Sequence, residues 1–200
     1  MSLIRVLLIG GPSHTGKSTL AETLAAELGW NHVSTDSMAR HPGRPWRTDA
    51  GPVPDHVVHH YSSLSVDDLV EDVMRHYNSM WPDIESLVRT HVTDRDADSL
   101  VLEGSAVLPG RIATAGMEDV AACWLTADDE VLEGRIHASS DFDRVKPDGK
   151  ALIQMFVQRN QSFAQLMTDA VTRHGLNSID TGAAPSIDEL IDKCVGLLVR

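Results

Sequence analysis

Apolar residues run almost unbroken from Leu3 to Ile9 and end in Gly10-Gly11, the signature of a strand buried on both faces of a parallel sheet. The period then changes. Over Ser18 to Leu28 the apolar positions Leu20, Leu24, Ala25 and Leu28 recur at helical spacing, and Gly29 stands where a helix would stop. A short strand is predicted over Asn31 to Ser34, and a Pro/Gly-rich excursion loop over 40–55. Helices follow at 55–62, at 66–79 behind a Ser65/Asp68 capping box, and at 82–92. Leu100 to Glu103 and Val120 to Leu125 read as buried strands, the second leading through a Thr126/Asp129 capping box into a helix to about 138. The polar stretch 139–149 reads as a mobile flap before a long helix over about 150–173 with Leu152, Phe156, Phe163 and Met167 on one face. A strand at 176–180 and a helix capped by Ser186/Glu189 complete the chain. Strands alternating with helices predict an α/β fold of three layers around a five-stranded parallel sheet with right-handed crossovers.

Length and composition narrow this picture. Two hundred residues suit one domain, with 40–98 as an insert and 139–149 as a lid. The formal charge of −12 argues against nucleic acid and anionic membranes as partners, so an anionic ligand must be captured locally. No stretch approaches the roughly 18 apolar residues of a membrane span, which makes a soluble, cytoplasmic protein the expectation, monomer or homodimer. Cys123 and Cys194 fall in a predicted strand and helix and read as reduced core thiols.

The first feature that carries chemistry is Gly11-Pro12-Ser13-His14-Thr15-Gly16-Lys17-Ser18-Thr19, a full match to G-x-x-x-x-G-K-[ST] between a buried strand and an amphipathic helix. Such a loop wraps backbone N–H groups around phosphates at a helix N-terminus, with Lys17 reaching the β/γ phosphates and the Ser18 hydroxyl binding Mg²⁺. His14 within it is left open between a phosphate and an acceptor contact.

On these residues the chain resembles the P-loop NTPases. It carries no N-K-x-D for guanine and lacks room for ABC or AAA machinery, so the resemblance narrows to the small P-loop kinases. Residues Thr35 to Arg40 are similar to the T-G-D-x-x-R element of adenylate kinases, with Asp36-Ser37 in place of Gly-Asp, and more similar to the Thr-Asp element of 2-phosphoglycerate kinases. The resemblance implies ATP and Mg²⁺ and gives Asp36 the task of orienting and deprotonating an acceptor hydroxyl, although Asp also favours helix N-caps. Arg40, Arg44 and Arg47 make a cationic segment, read as a fork for an acceptor carboxylate or phosphate, or as a solvated loop. Glu103, ending a strand, is read as a Walker B-like acid near Mg²⁺ or acceptor, and LVLEG-x-x-x-x-P-G through Arg111 extends the likeness to 2-phosphoglycerate and uridine kinases, with Arg111 expected among the acceptor-binding residues. Arg144 is the lid arginine that the resemblance implies, while Arg135 and Arg159 divide between lid and surface ion pairs. Gly182 and Ala183 are expected to border the adenine.

The function this predicts is ATP-dependent phosphoryl transfer to a hydroxyl of a small anionic metabolite. The alternatives are a nucleoside monophosphate kinase and an ATP-binding regulator with slow ATPase activity. Two other patterns carry less. The triad His56, His59 and His60 has helical metal spacing without a convergent partner, and Asp94, Asp96 and Asp98 imitate a calcium loop without its Gly and terminal Glu.

Overall fold

The structure, a computed structural model, describes residues 4–39, 43–48, 51–183 and 185–199. Five parallel strands form one sheet in the order β2-β3-β1-β4-β5: β1 (Val6–Gly10), β2 (Asn31–Ser34), β3 (Leu100–Glu103), β4 (Val120–Thr126) and β5 (Asn177–Asp180). The central strand shows why an unbroken apolar run is needed. Val6 and Leu8 enter one core with α3 (Val66–Thr93) and α6 (Pro147–Arg173), while Leu7 and Ile9 enter the opposite core with α1 (Lys17–Leu28) and α7 (Ile187–Gly196). A third cluster joins α2 (Asp55–Ser63), α5 (Asp129–Ser140) and α6 through Trp46, Tyr61, Ile136 and Phe156. Cys123 and Cys194 are buried free thiols whose sulfurs lie 3.9 Å apart, and the shared S–H contact together with burial pushes the Cys123 thiol up.

Three expected elements differ. The predicted break between 79 and 82 is absent: α3 runs as one 28-residue helix through Pro82. Proline removes the helical donor to the Asn78 carbonyl, but Met80, Trp81, Ile84 and Val88 are all buried, and their shared packing outweighs the loss. The Thr126/Asp129 capping box does not form, because β4 extends through Thr126 and Asp128 takes the N-cap position. The stretch 139–149 is mostly helical, comprising the end of α5, a 3-10 turn at Phe142–Arg144 and the start of α6, whose N1 position is Pro147. The boxes at Ser65/Asp68 and Ser186/Glu189 are formed. No helix among the described residues is long and apolar enough to cross a membrane.

Parallel order brings the C-terminal ends of β1, β2 and β3 to one edge, where the phosphate-loop motif, the turn Thr35–Ser37 and Glu103 meet. The acidic stretch 94–98 is a turn beneath α3. Arg5 donates to the carbonyls of His91, Asp94 and Ala97 and so satisfies that helix end, which answers the calcium-like pattern with backbone capping. No group of three or more His, Cys, Asp or Glu among the described residues is arranged to hold a metal, and that includes 56–60.

Candidate functional site

The loop between β1 and α1 is held from four sides. Gly11 has φ 136°, and a Cβ there would meet the Leu125 carbonyl at 2.5 Å, so glycine alone lets the loop lie against β4. Ser105 Oγ donates to the Gly11 carbonyl at 3.0 Å. From α6, Asn160, fully buried, accepts from the Ser13 N–H at 3.0 Å and donates to the Ser13 carbonyl at 3.3 Å. From α5, Arg135 donates to the His14 carbonyl at 3.2 Å and to both the hydroxyl and carbonyl of Thr181, tying the loop to the segment after β5. His14 itself is left-handed at φ 67° and pairs its Nε2 with Ser139 Oγ at 2.9 Å.

Inside the loop, Lys17 Nζ donates to the Pro12 carbonyl at 2.7 Å, and Ser18 Oγ donates to Glu103 Oε1 at 3.1 Å. Lys17 is only 8% exposed, and burial lowers its pKa to about 8 against the opposing attraction of Glu103 and Asp36. His14 is lowered to about 4, first by burial and then by the cations Arg44, Lys17, Arg135 and Arg159. Four positive groups therefore converge on one histidine in a chain of net charge −12.

A groove of about 230 Å³ lies over this loop, lined by Lys17, Ser18, Thr19, Glu103, Asp36 and Arg44 among others. A cavity of about 390 Å³ adjoins it between α3 and α6, and its walls include Ser13, Asp36, Arg44, Tyr77, Phe156 and Arg159. Asp36 and Arg44 line both spaces. Asp36 sits within the 3-10 turn, and the cap is supplied by Ser34, whose Oγ accepts the Asp36 N–H at 3.3 Å. Arg159 is 5% exposed; its guanidinium lies 4.6 Å from the Phe156 ring centre and donates to the Tyr61 hydroxyl at 3.2 Å, with no carboxylate in contact among the described residues. Trp46 packs edge-on to Phe156 and tilted to His14, which ties residues 43–48 to α6 and to the phosphate loop.

No family model matches the chain. A cytidylate kinase of Chlamydia caviae is 45% identical over 47 residues, 21% of this chain, so the match spans about a fifth of the relative's length at 22%. A gluconokinase from Sinorhizobium meliloti superposes with a TM-score of 0.52 at 16% identity, covering 100% of this chain and 94% of its own. A shikimate kinase from Acinetobacter baumannii gives 0.51 at 16% identity, covering 99% and 94%. The chain has the fold of the small P-loop kinases.

Within that fold the predicted residues separate into groups. Ser13, His14, Gly16, Lys17, Ser18, Thr19, Asp36, Arg44 and Glu103 gather at the P-loop groove. Gly11 and Thr15 shape the loop beneath it, Thr15 through its Oγ1 donating to Pro12 at 3.0 Å. Arg40 lies outside the described residues, and Arg47 is exposed and lines neither space. Arg144 is exposed, pairs with Asp141 at 3.5 Å and does not line the groove; helical pairing in the 139–149 stretch holds it there. Arg111 is turned to another part of the molecule, donating twice to Asn78 Oδ1. Gly182 and Ala183 follow β5, the Gly182 N–H held by Asp180 at 2.7 Å, and line neither space. Surface ion pairing does not describe Arg135 and Arg159, since the first binds backbone at the loop and the second is buried in the cavity wall.

Asn160, Tyr77, Ser105 and Phe156 are residues that sequence reasoning did not single out for the site. A signal existed for α6: Arg159 and Asn160 fall between Phe156 and Phe163 at helical spacing, on the apolar face. A charged and an amide side chain on a core stripe require partners or a ligand.

Proposed function

We propose that the chain is an ATP- and Mg²⁺-dependent phosphotransferase that moves the γ-phosphoryl group of ATP to a hydroxyl of a small anionic metabolite, in a cytoplasmic setting. The observation that carries this reading is that one carboxylate and one guanidinium, Asp36 and Arg44, border both the P-loop groove and the adjoining cavity. A donor phosphate in the groove and an acceptor in the cavity would meet at Asp36.

In this reading Lys17 leaves the Pro12 carbonyl for the β/γ phosphates, and the loop N–H groups not already bound to Asn160 turn to phosphate oxygens. Ser18 and the buried Glu103 are hard oxygen donors side by side and fit Mg²⁺, which when bound neutralises charge on the phosphates. Asp36 accepts the hydroxyl proton as the acceptor oxygen bonds phosphorus and the bond from phosphorus to the ADP oxygen breaks. Arg44 and Arg159 hold the anionic group of the acceptor, and Phe156 and Tyr77 exclude water around it. A sugar acid or a phosphoglycerate has the required hydroxyl and anion.

The 47-residue likeness to a cytidylate kinase supports a second reading, a nucleoside monophosphate acceptor, whose phosphate is already an anionic nucleophile and makes little use of Asp36. The two part on one assay: ADP release with ATP-Mg²⁺ and a panel of gluconate, shikimate, 2-phosphoglycerate and CMP, run on wild type and Asp36→Asn. An alcohol acceptor predicts a fall in kcat of about 100-fold or more on Asp36→Asn. Turnover of CMP with a fall below about tenfold selects the monophosphate reading instead. ATP hydrolysis with no transfer to any of the four removes both in favour of a regulator.

A further inference from the structure

A second cavity of about 360 Å³ lies away from the P-loop, between α3, the short helix α4 (Pro109–Thr114) and the C-terminal half of α6. It shares no residue with the groove or the acceptor cavity, and its volume is in the range of small-molecule pockets of about 300–1,000 Å³. Its apolar wall is built by Met74, Leu108 and Met167, with Leu166 at the rim, 47% exposed and one of few large apolar side chains left in solvent. Its polar wall carries two guanidiniums beside the neutral Asn78 and Thr114. Arg111, Arg173 and His174 line it, and neither arginine meets a carboxylate within ion-pair distance among the described residues.

Arg111 is also held in place. Its Nε and Nη2 both donate to Asn78 Oδ1, at 3.0 and 2.8 Å, and the Asn78 amide is fixed in turn by donating to the Met74 carbonyl at 2.8 Å. Both N–H groups on the Nε edge of the guanidinium converge on this single amide oxygen, which fixes that edge and leaves the Nη1 side open. Here the partner is a neutral amide, so the guanidinium is oriented while its charge stays uncompensated. Arg111 is exposed and has no carboxylate partner among the described residues, in a protein with an excess of acids.

We propose that this cavity is a second ligand site, which takes a small amphipathic anion: an apolar body against Met74, Leu108 and Met167, and a carboxylate or phosphate head at Arg111 and Arg173. Both chemistries are needed to fill it, since the apolar wall gives a simple inorganic anion nothing to contact and the guanidiniums give a neutral hydrocarbon no partner. Its position makes binding consequential. The helices that wall it, α3 and α6, also carry Tyr77, Phe156 and Arg159 into the acceptor cavity, so a ligand bridging α4 to both helices bears on the packing around the acceptor.

The test is direct binding to the nucleotide-free full chain, read by calorimetry and by the shift in melting temperature. The probes are octanoate and octyl phosphate, with acetate and octanol as half-ligands. An eight-carbon anion is expected to bind at least about tenfold more tightly than either half-ligand, and Arg111→Ala with Arg173→Ala to weaken it by at least about tenfold. Leu166→Glu, a change at an exposed rim position that spares both arginines, is expected to weaken the eight-carbon anions by a larger factor than octanol, because repulsion adds to the lost apolar contact only for the anions. Arg44→Ala should leave octanoate binding intact. Absence of binding by both eight-carbon anions up to about 10 mM overturns the proposal, a concentration that corresponds to less than about 3 kcal/mol of binding. Binding that survives the double arginine variant, or that is lost in Arg44→Ala, overturns it equally, because the anion would then sit elsewhere.

Discussion

Replacing the P-loop lysine with methionine should make the protein more stable. Lys17 is held as a buried cation whose pKa falls from the ordinary 10.5 to about 8, with burial as the leading cause. Between those two values the unfolded chain binds more protons than the folded one, so wild-type stability rises with pH across that window, and below about pH 8 the full cost is present. At 1.36 kcal/mol per pKa unit that cost is about 3 kcal/mol at pH 7 and falls to less than half of it at pH 9.5. Methionine keeps an unbranched side chain one heavy atom shorter and removes the charge, but it also gives up the hydrogen bond to the Pro12 carbonyl, worth about 1 kcal/mol. Thr15 Oγ1 still donates to that carbonyl, so it is not stranded. Lys17→Met should therefore exceed wild type by about 2 kcal/mol at pH 7, and the gap should shrink to near zero by pH 9.5. Urea unfolding of both nucleotide-free proteins at the two pH values measures it. A variant no more stable than wild type at pH 7, or an advantage that does not change with pH, refutes the argument that burial of this cation is costly.

Two further changes probe the frame of the site. Gly104→Ala would set a Cβ 1.8 Å from Thr35 Oγ1 at φ 146°, so a loss of about 3 kcal/mol or more is expected, a fall in melting temperature of about 10 °C for a chain this size, partly restored by adding Thr35→Ala. Asn160→Leu strips both hydrogen bonds from Ser13 and leaves a half-buried N–H without its partner, for which about 1–2 kcal/mol and faster amide exchange confined to the P-loop and its neighbours are expected; unchanged exchange at Ser13 would show that the loop does not depend on α6.

What was legible in the sequence depended on how local the governing physics is. The P-loop could be read because a strand, a glycine pattern and a helix start within nine residues of one another determine it. The central strands β1, β3 and β4 could be read because burial on both faces keeps them apolar, with no polar residue in Leu100-Val101-Leu102, whereas β2 and β5, at the sheet edges, carry polar residues and rest on their place in the alternation of strands and helices. Pro82 misled because a local rule about proline was outvoted by Trp81, Ile84 and Val88, whose packing partners are distant in the chain. The stretch 139–149 misled for a similar reason: its polar composition fits a loop, yet Pro147 is a favoured first residue of a helix and Phe142 lies stacked on His137. Arg111 follows a family-like string, but only the path of α4 decides that it lines the second cavity. Arg159 and Asn160 were readable in principle as polar residues on an apolar stripe, and their identity as wall and clamp required the pairing of α6 with Ser13 and Tyr61 across the fold.

The electrostatics of the site follow from the same cost that Lys17 carries. Lys17 and Arg159 are both nearly buried, and neither is neutralised by an ion pair among the described residues; Lys17 rests on a carbonyl and Arg159 on a hydroxyl and an aromatic face. Each is a charge taken from water with incomplete compensation, which lowers the stability of the ligand-free protein. The compensation must come from what binds. A polyanion in the groove and an anion in the cavity would supply the missing charge, and a ligand that binds only the folded state adds about 2.7 kcal/mol of stability at a hundred times its Kd. Cations held this way in a strongly acidic chain are poorly explained as structural elements, since apolar residues of the same size would serve the fold better, and are well explained as ligand contacts fixed in advance.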